Sequence, residues 1–188
     1  DEFDGVVLDL FVPAITYTPS TNSNCTSVRS FTAIITDNSG VNITAGTKPR
    51  IYYKRSTDGN VWIDNTSGTD GWKYAEATNA VSPFNFDIDY SLLNGGTGVI
   101  VGNTVQYFVV AQDLAGTPNV AINSGTFAAT PASVALTGAA FPIGGTINSY
   151  NIVAGLSTSI TIGAAGTYTS ITGAGGLFSE INANGLTG

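Results

Sequence analysis

The chain has 188 residues, 43% of them hydrophobic and only 10% charged, with 13 acidic against 6 basic side chains and a net charge of −7. Too little of it is charged for disorder, and a negative surface repels phosphate backbones and anionic membranes, which argues against nucleic acid as a partner. No apolar run approaches the roughly 20 residues that a bilayer requires, so no membrane span is expected.

At about 100 to 150 residues per domain, the length fits one full domain and part of another. Thr, Ser, Asn and Gly replace the missing charge, a composition suited to strands and tight turns. The opening Asp1-Glu2-Phe3 and the absence of methionine have the look of a processed or excised segment. The one cysteine, Cys25, has no intrachain disulfide partner, and the chain has no histidine to serve as its base, so it reads as a small buried hydrophobe.

In chain order, Val6 to Val12 is apolar enough for a strand closing an upstream segment, which assigns residues 1–13 to that segment or to an extra strand. Residues 14–18, between Pro13 and Pro19, read as a short edge strand. From Val28 to Thr36 the alternation puts Phe31, Ala33 and Ile35 on one face, ending at Asp37-Asn38-Ser39-Gly40. Residues 48–55 form the next strand, with Ile51 and Tyr53 opposed to Tyr52 and Lys54. Asp58-Gly59 is a hairpin signal that predicts a partner strand at Val61-Trp62-Ile63. Further strands follow at residues 72–77, 84–90 and 103–113, then around 120–128. Seven to nine short strands with Gly, Asn, Asp or Pro turns and no long helical period predict an all-β fold, a β-sandwich over residues 14–130.

Within it, Tyr107-Phe108-Val109-Val110-Ala111-Gln112-Asp113-Leu114-Ala115-Gly116 carries a Tyr-x-Val-x-Ala-x-Asp-x-x-Gly run. This resembles the penultimate strand and turn of bacterial immunoglobulin-like and fibronectin type III-like modules. The resemblance implies that the Tyr107 ring fills the sandwich core while its hydroxyl bonds a backbone group. Together with Ile15 to Pro19, Asp37 to Gly40 and Lys48 to Lys54, the arrangement looks like the modules of large secreted surface proteins of the Bacteroidetes, which serve as spacers and interaction domains. The two core cysteines of antibody domains are missing, which excludes their disulfide.

Residues 131–188 differ: Gly, Ala, Thr, Ser and Ile dominate, and Glu180 is the only charged side chain. The run from Ser157 to Ala174 resembles the entry into a right-handed parallel β-helix of the pectate-lyase-like superfamily, and Leu177, Phe178 and Ile181 supply one face of a short capping helix. A solenoid needs about three stacked repeats, so this glycine-rich β segment reads as a linker and an incomplete β-helix cap of a longer, multidomain protein. The alternative is that it folds back on the sandwich as an extra strand pair and a helix.

Asp58, Asp64 and Asp70, with Asn60, Asn65 and Gly71, make an oxygen-rich loop of the kind that holds calcium as a cofactor, although the spacing is not that of an EF-hand. Turn residues satisfying local backbone amides account for it more simply. Trp62, Trp72, Tyr52 and Tyr74, with Tyr53, form an aromatic cluster that could stack on a glycan, but one face of every strand must supply the core. Asp87 and Asp89, with Glu76, can be imagined as a glycosidase-like pair, yet carboxylates alternating with apolar residues usually mark a solvent face. Asn24, Asn42 and Asn65 stand in N-glycosylation triplets, which chance explains in a chain so rich in Asn, Ser and Thr.

With no catalytic constellation, the expected function is that of a non-catalytic structural or adhesive module of a secreted, cell-surface protein. Its partners would be neighbouring domains of the same polypeptide, glycans or another surface protein. The alternatives are an accessory domain of a polysaccharide-degrading β-helix enzyme and a carbohydrate-binding module.

Overall fold

The computed structural model describes residues 9–155 and 160–184. It contains strands β1 (Ala14–Thr16), β2 (Val28–Thr36), β3 (Arg50–Arg55), β4 (Lys73–Glu76), β5 (Phe84–Asp89), β6 (Thr104–Gln112), β7 (Val120–Ile122) and β8 (Asn148–Asn151), and one helix, α1 (Leu177–Asn184). The fold is mostly β, with two antiparallel sheets. One has the order β1-β2-β5; the other runs β4-β3-β6, with β8 and β7 sharing the far edge of β6.

The alternation in β2 and β5 has a direct cause: one face is buried and the other wet. Phe31 lies opposite Phe86 and Ala33 opposite Phe84 on the inner face. On the outer face Ser30 donates to Asp87 (3.1 Å) and Thr32 to Asn85 (3.0 Å). The inner faces of the two sheets meet in a single cluster that includes Phe31, Ile35, Phe86, Ile88, Tyr53, Tyr107 and Val109.

β3 and most of β6 are buried on both faces. Tyr52, Phe108 and Val110 point away from the shared core into a second cluster, where Val134, Leu136, Phe141 and Ile143 cover them. The expected module boundary at residue 130 therefore has packed structure on both sides. Three contacts fasten this covering segment. The Tyr52 hydroxyl donates to the Val134 carbonyl (2.7 Å) and accepts from the Leu136 amide (3.0 Å), and Gln112 Oε1 accepts from the Val134 amide (2.9 Å). β8 then pairs with the first half of β6.

Two local expectations change. Residues 61–63 are not a strand, and the antiparallel neighbour of β3 is β4. The chain turns two residues earlier than Asp58-Gly59 implies: Asp58 N donates to the Arg55 carbonyl (3.0 Å), and the Asp58 carboxylate folds back on the Arg55 amide (3.0 Å). Gly71, at φ 98°, then passes so close to Val61 that a Cβ would lie 2.3 Å from its carbonyl oxygen, which makes glycine obligatory there. The strand expected from Val6 lies partly outside the described residues, and residues 9–12 are not in a strand.

In the last segment, Ile162 and Tyr168 form a parallel bridge, and α1 begins with Leu177 N bonded to the Ser170 carbonyl (3.1 Å). Phe178 on α1 is 56% exposed. The start of the expected β-helix entry, at residues 157–159, lies outside the described residues.

Candidate functional site

The loop joining β3 to β4 holds the three expected metal ligands, and each carboxylate has local partners. Asp58 Oδ1 pairs with the Arg55 guanidinium at 2.5 Å. Asp64 Oδ1 accepts from the Thr66 amide (2.9 Å) and from the Thr66 (2.8 Å) and Thr69 (2.5 Å) hydroxyls. Asp70 Oδ2 accepts from the Gly59 amide (3.0 Å). The three do not converge on one point; among the described residues the only trio that does is a different one.

The loop brings in its own cation. Lys73, buried at the start of β4, donates to Thr69 Oγ1 (2.8 Å) and to the Asp64 carbonyl (3.2 Å). Burial pulls its pKa down, against the opposing pull of Asp64, Asp70 and Asp58. Lys54, also buried, donates to the Asp58 carbonyl (2.9 Å) and lies 5.4 Å from the centre of the Trp72 ring; burial again lowers its pKa, with Asp58 and Asp70 opposing. Hydrogen bonds from Thr69 and Thr66 lower the Asp64 pKa. Two ammonium groups and a guanidinium thus face the three acids.

The expected aromatic platform divides. Tyr52 and Trp72 are both 0% exposed, and the one stacked pair among the described residues, Tyr52 on Phe108 (9° between planes, centroids 5.3 Å apart), lies inside the second core cluster. A ring without solvent access cannot stack on a sugar in this conformation. Trp62 and Tyr74 are half-buried, 5.8 Å apart and inclined at 44°, and Arg50 covers Tyr74 at 4.0 Å while pairing with Glu76 at 3.1 Å. The imagined carboxylate pair is also engaged locally. Asp87 takes the Ser30 hydroxyl and Asp89 Oδ1 caps the turn at the Ser91 amide (2.9 Å).

Sequence reasoning missed the place where carboxylates do converge. Asp9, Asp37 and Asp113 bring one oxygen each to within 4.8 Å of one another, at the ends of β2 and β6 and beside the arm before β1. Asp113, fully buried, accepts from the Asn119 amide (2.9 Å), the Asn119 side chain (2.6 Å) and the Ala115 amide (3.2 Å). Asp37 accepts from Ser39 and Asp9 from the Phe11 amide. Such oxygens suit a hard divalent cation in kind, yet every carboxylate already serves a neighbouring backbone amide. Their only common signal in the sequence is a turn-forming context.

Tyr107 is fully buried, and its hydroxyl accepts from the Ser20 amide at 2.7 Å. Nearby, Tyr90 and Tyr150 share a buried 2.5 Å hydroxyl contact, with the Arg29 guanidinium 4.1 Å over the Tyr150 ring. In comparisons with known proteins, no family model, curated protein or solved structure matches the chain.

Proposed function

We propose that the chain is a non-catalytic structural or adhesive module of a multidomain secreted cell-surface protein, built on an immunoglobulin-like sandwich. The observation that carries the reading is the strand order. We read β1-β2-β5 as the A-B-E sheet and β4-β3-β6-β7 as the C′-C-F-G sheet of such a module, with β8 as an added strand beside β6. Tyr107 supports it, because it stands on the F-equivalent strand with its ring in the core and its hydroxyl on main chain. Its partner, Ser20, follows β1 and is far upstream, so the bond ties the first strand to the sixth instead of fixing a local corner.

A module of this kind presents loops and sheet faces and leaves any chemistry to its neighbours. The acids singled out in the sequence stand on turns or solvent faces, engaged with local amides, hydroxyls or cations, as a scaffold requires. Immunolabelling tests the placement. Antibodies raised against the full folded chain are expected to stain intact cells of the source organism. Staining that appears only after permeabilisation would overturn a surface role.

A further inference from the structure

The segment that follows β1 runs beside β8, the last strand. At residues 17–23 the chain passes along the outer edge of β8 in the same direction, and Ser23 and Ile152 form a parallel bridge. The Ser23 amide donates to the Asn151 carbonyl (3.0 Å), and the Val153 amide donates to the Ser23 carbonyl (2.9 Å). Side chains add to these bonds. Asn22 Oδ1 accepts from the Asn151 amide (3.0 Å), the Tyr17 hydroxyl from Asn148 Nδ2 (2.8 Å), and the Tyr107 hydroxyl, on β6, from the Ser20 amide (2.7 Å). The Tyr17 ring meets Phe31 edge-on at 4.8 Å, which anchors the segment to the core.

The same topology puts entry and exit at opposite ends of the sheets. β1 begins opposite Thr36, the last residue of β2, and the Asp9 carbonyl before it accepts from Asn119, beyond the end of β6. β8 ends opposite Thr104, the first residue of β6. A pull from the N-terminal side therefore drags residues 17–23 toward one end, while a pull from the C-terminal side drags β8 toward the other. In a parallel pair these pulls oppose each other along the strands, so the hydrogen bonds that cross between them are strained together and not one after another. β7 and the covering segment lie in sequence between the two loaded segments, so neither takes up tension until the pairing yields.

We propose that this pairing is a shear clamp and that the chain is a tension-bearing link between neighbouring domains of its polypeptide. The inference rests on the structural reading above only for the source of the tension; the clamp itself stands on the parallel pairing.

The test is single-molecule stretching of the full chain in two geometries. Handles at the two chain ends load the clamp in shear. In a Cys25→Ser background, a handle at the N-terminal end and one on Thr117→Cys, in the exposed turn before Asn119, peel β1 from its first residue. Shear is expected to need a several-fold higher force than peeling. At constant end-to-end force, Asn22→Ala and Tyr107→Phe, each removing one bond of the clamp, are expected to speed unfolding about fivefold. Asn65→Ala, which removes bonds at β4 on the opposite edge of the sheet, is expected to leave that rate unchanged. Asn22 is exposed, so its variant carries the test if Tyr107→Phe does not fold. Equal forces in the two geometries, or an Asn65→Ala effect as large as that of the clamp variants, would overturn the proposal. Either result, in a chain that immunolabelling places at the surface, removes the tension-bearing role and leaves the surface reading standing.

Discussion

Asn60 follows β3 and makes three hydrogen bonds through one amide. Its Oδ1 accepts from Trp72 Nε1 (2.9 Å) and the Ile143 amide (3.0 Å), and its Nδ2 donates to the Ile143 carbonyl (2.8 Å). It holds the covering segment to the sheet and satisfies the buried indole at the same time. Removing it leaves several buried groups unpaired, at about 1 to 3 kcal/mol each when no water reaches them. Asn60→Ala is therefore expected to lose about 3 kcal/mol, read as a lower urea midpoint at unchanged m-value; a loss below about 1 kcal/mol would mean that water replaces the side chain. In the sequence Asn60 reads as a turn residue or a member of the oxygen-rich loop around Asp58, and its role as a fastener is hidden because its partner Ile143 lies far along the chain. The carboxylates at Asp9, Asp37 and Asp113 were hidden for the same reason.

At the scale of elements, the sheet edges are closed by side chains that imitate a strand. Asn65 accepts from the Tyr74 amide (2.7 Å) and donates to its carbonyl (3.1 Å), occupying the outer edge of β4. The outer edge of β8 is met by the Ser23 amide on the Asn151 carbonyl (3.0 Å) and by Asn22 Oδ1 on the Asn151 amide (3.0 Å). Open edges template pairing with other chains. Asn65→Ala is expected to promote self-association at high concentration, detectable by sedimentation, with a stability cost of about 1 kcal/mol; a strictly monomeric variant would show that the edge is protected otherwise. β2, β5 and β6 were legible because their period-2 patterns and bounding turns agree with their burial. β8 was not: Asn148-Ser149-Tyr150-Asn151 buries only Tyr150, and its place on β6 follows from tertiary pairing. The strand expected at 61–63 failed because Val61 and Ile63 have strand-like composition while the loop keeps both exposed.

For the whole molecule, the second cluster makes residues 131–152 part of the folded unit. Val134, Leu136, Phe141 and Ile143 are each buried, and burial of such side chains contributes about 1.5 to 3 kcal/mol apiece, against a typical total stability of about 5 to 15 kcal/mol. A chain ending at residue 130 is expected to lose its cooperative calorimetric transition and to bind ANS, whereas one ending at 155 melts cooperatively. A cooperative melt of the shorter chain would show that a module ending at 130 folds without the covering segment.

Titration gives the molecule an alkaline limit. Burial raises the pKa values of Tyr52, Tyr53, Tyr90 and Tyr150 above their ordinary value of 10.0, with the Tyr90 contact a further cause at Tyr150. A raised folded-state pKa means that the unfolded chain loses its proton first, so the stabilisation is complete below pH 10 and is lost as pH rises from there toward the folded values. Lys54 and Lys73, lowered by burial, act in the opposite sense, gaining stability as pH approaches 10.5. Four buried phenols against two lysines decide the sign, at up to about 1.4 kcal/mol per pH unit for each proton. With no histidine in the chain, no side chain of that type titrates near pH 6.5. The Tm is accordingly expected to stay level between about pH 6 and 9 and to collapse above about pH 10, together with a cooperative rise in tyrosinate absorbance. Independent tyrosine titration at constant Tm would contradict the buried placement of these rings.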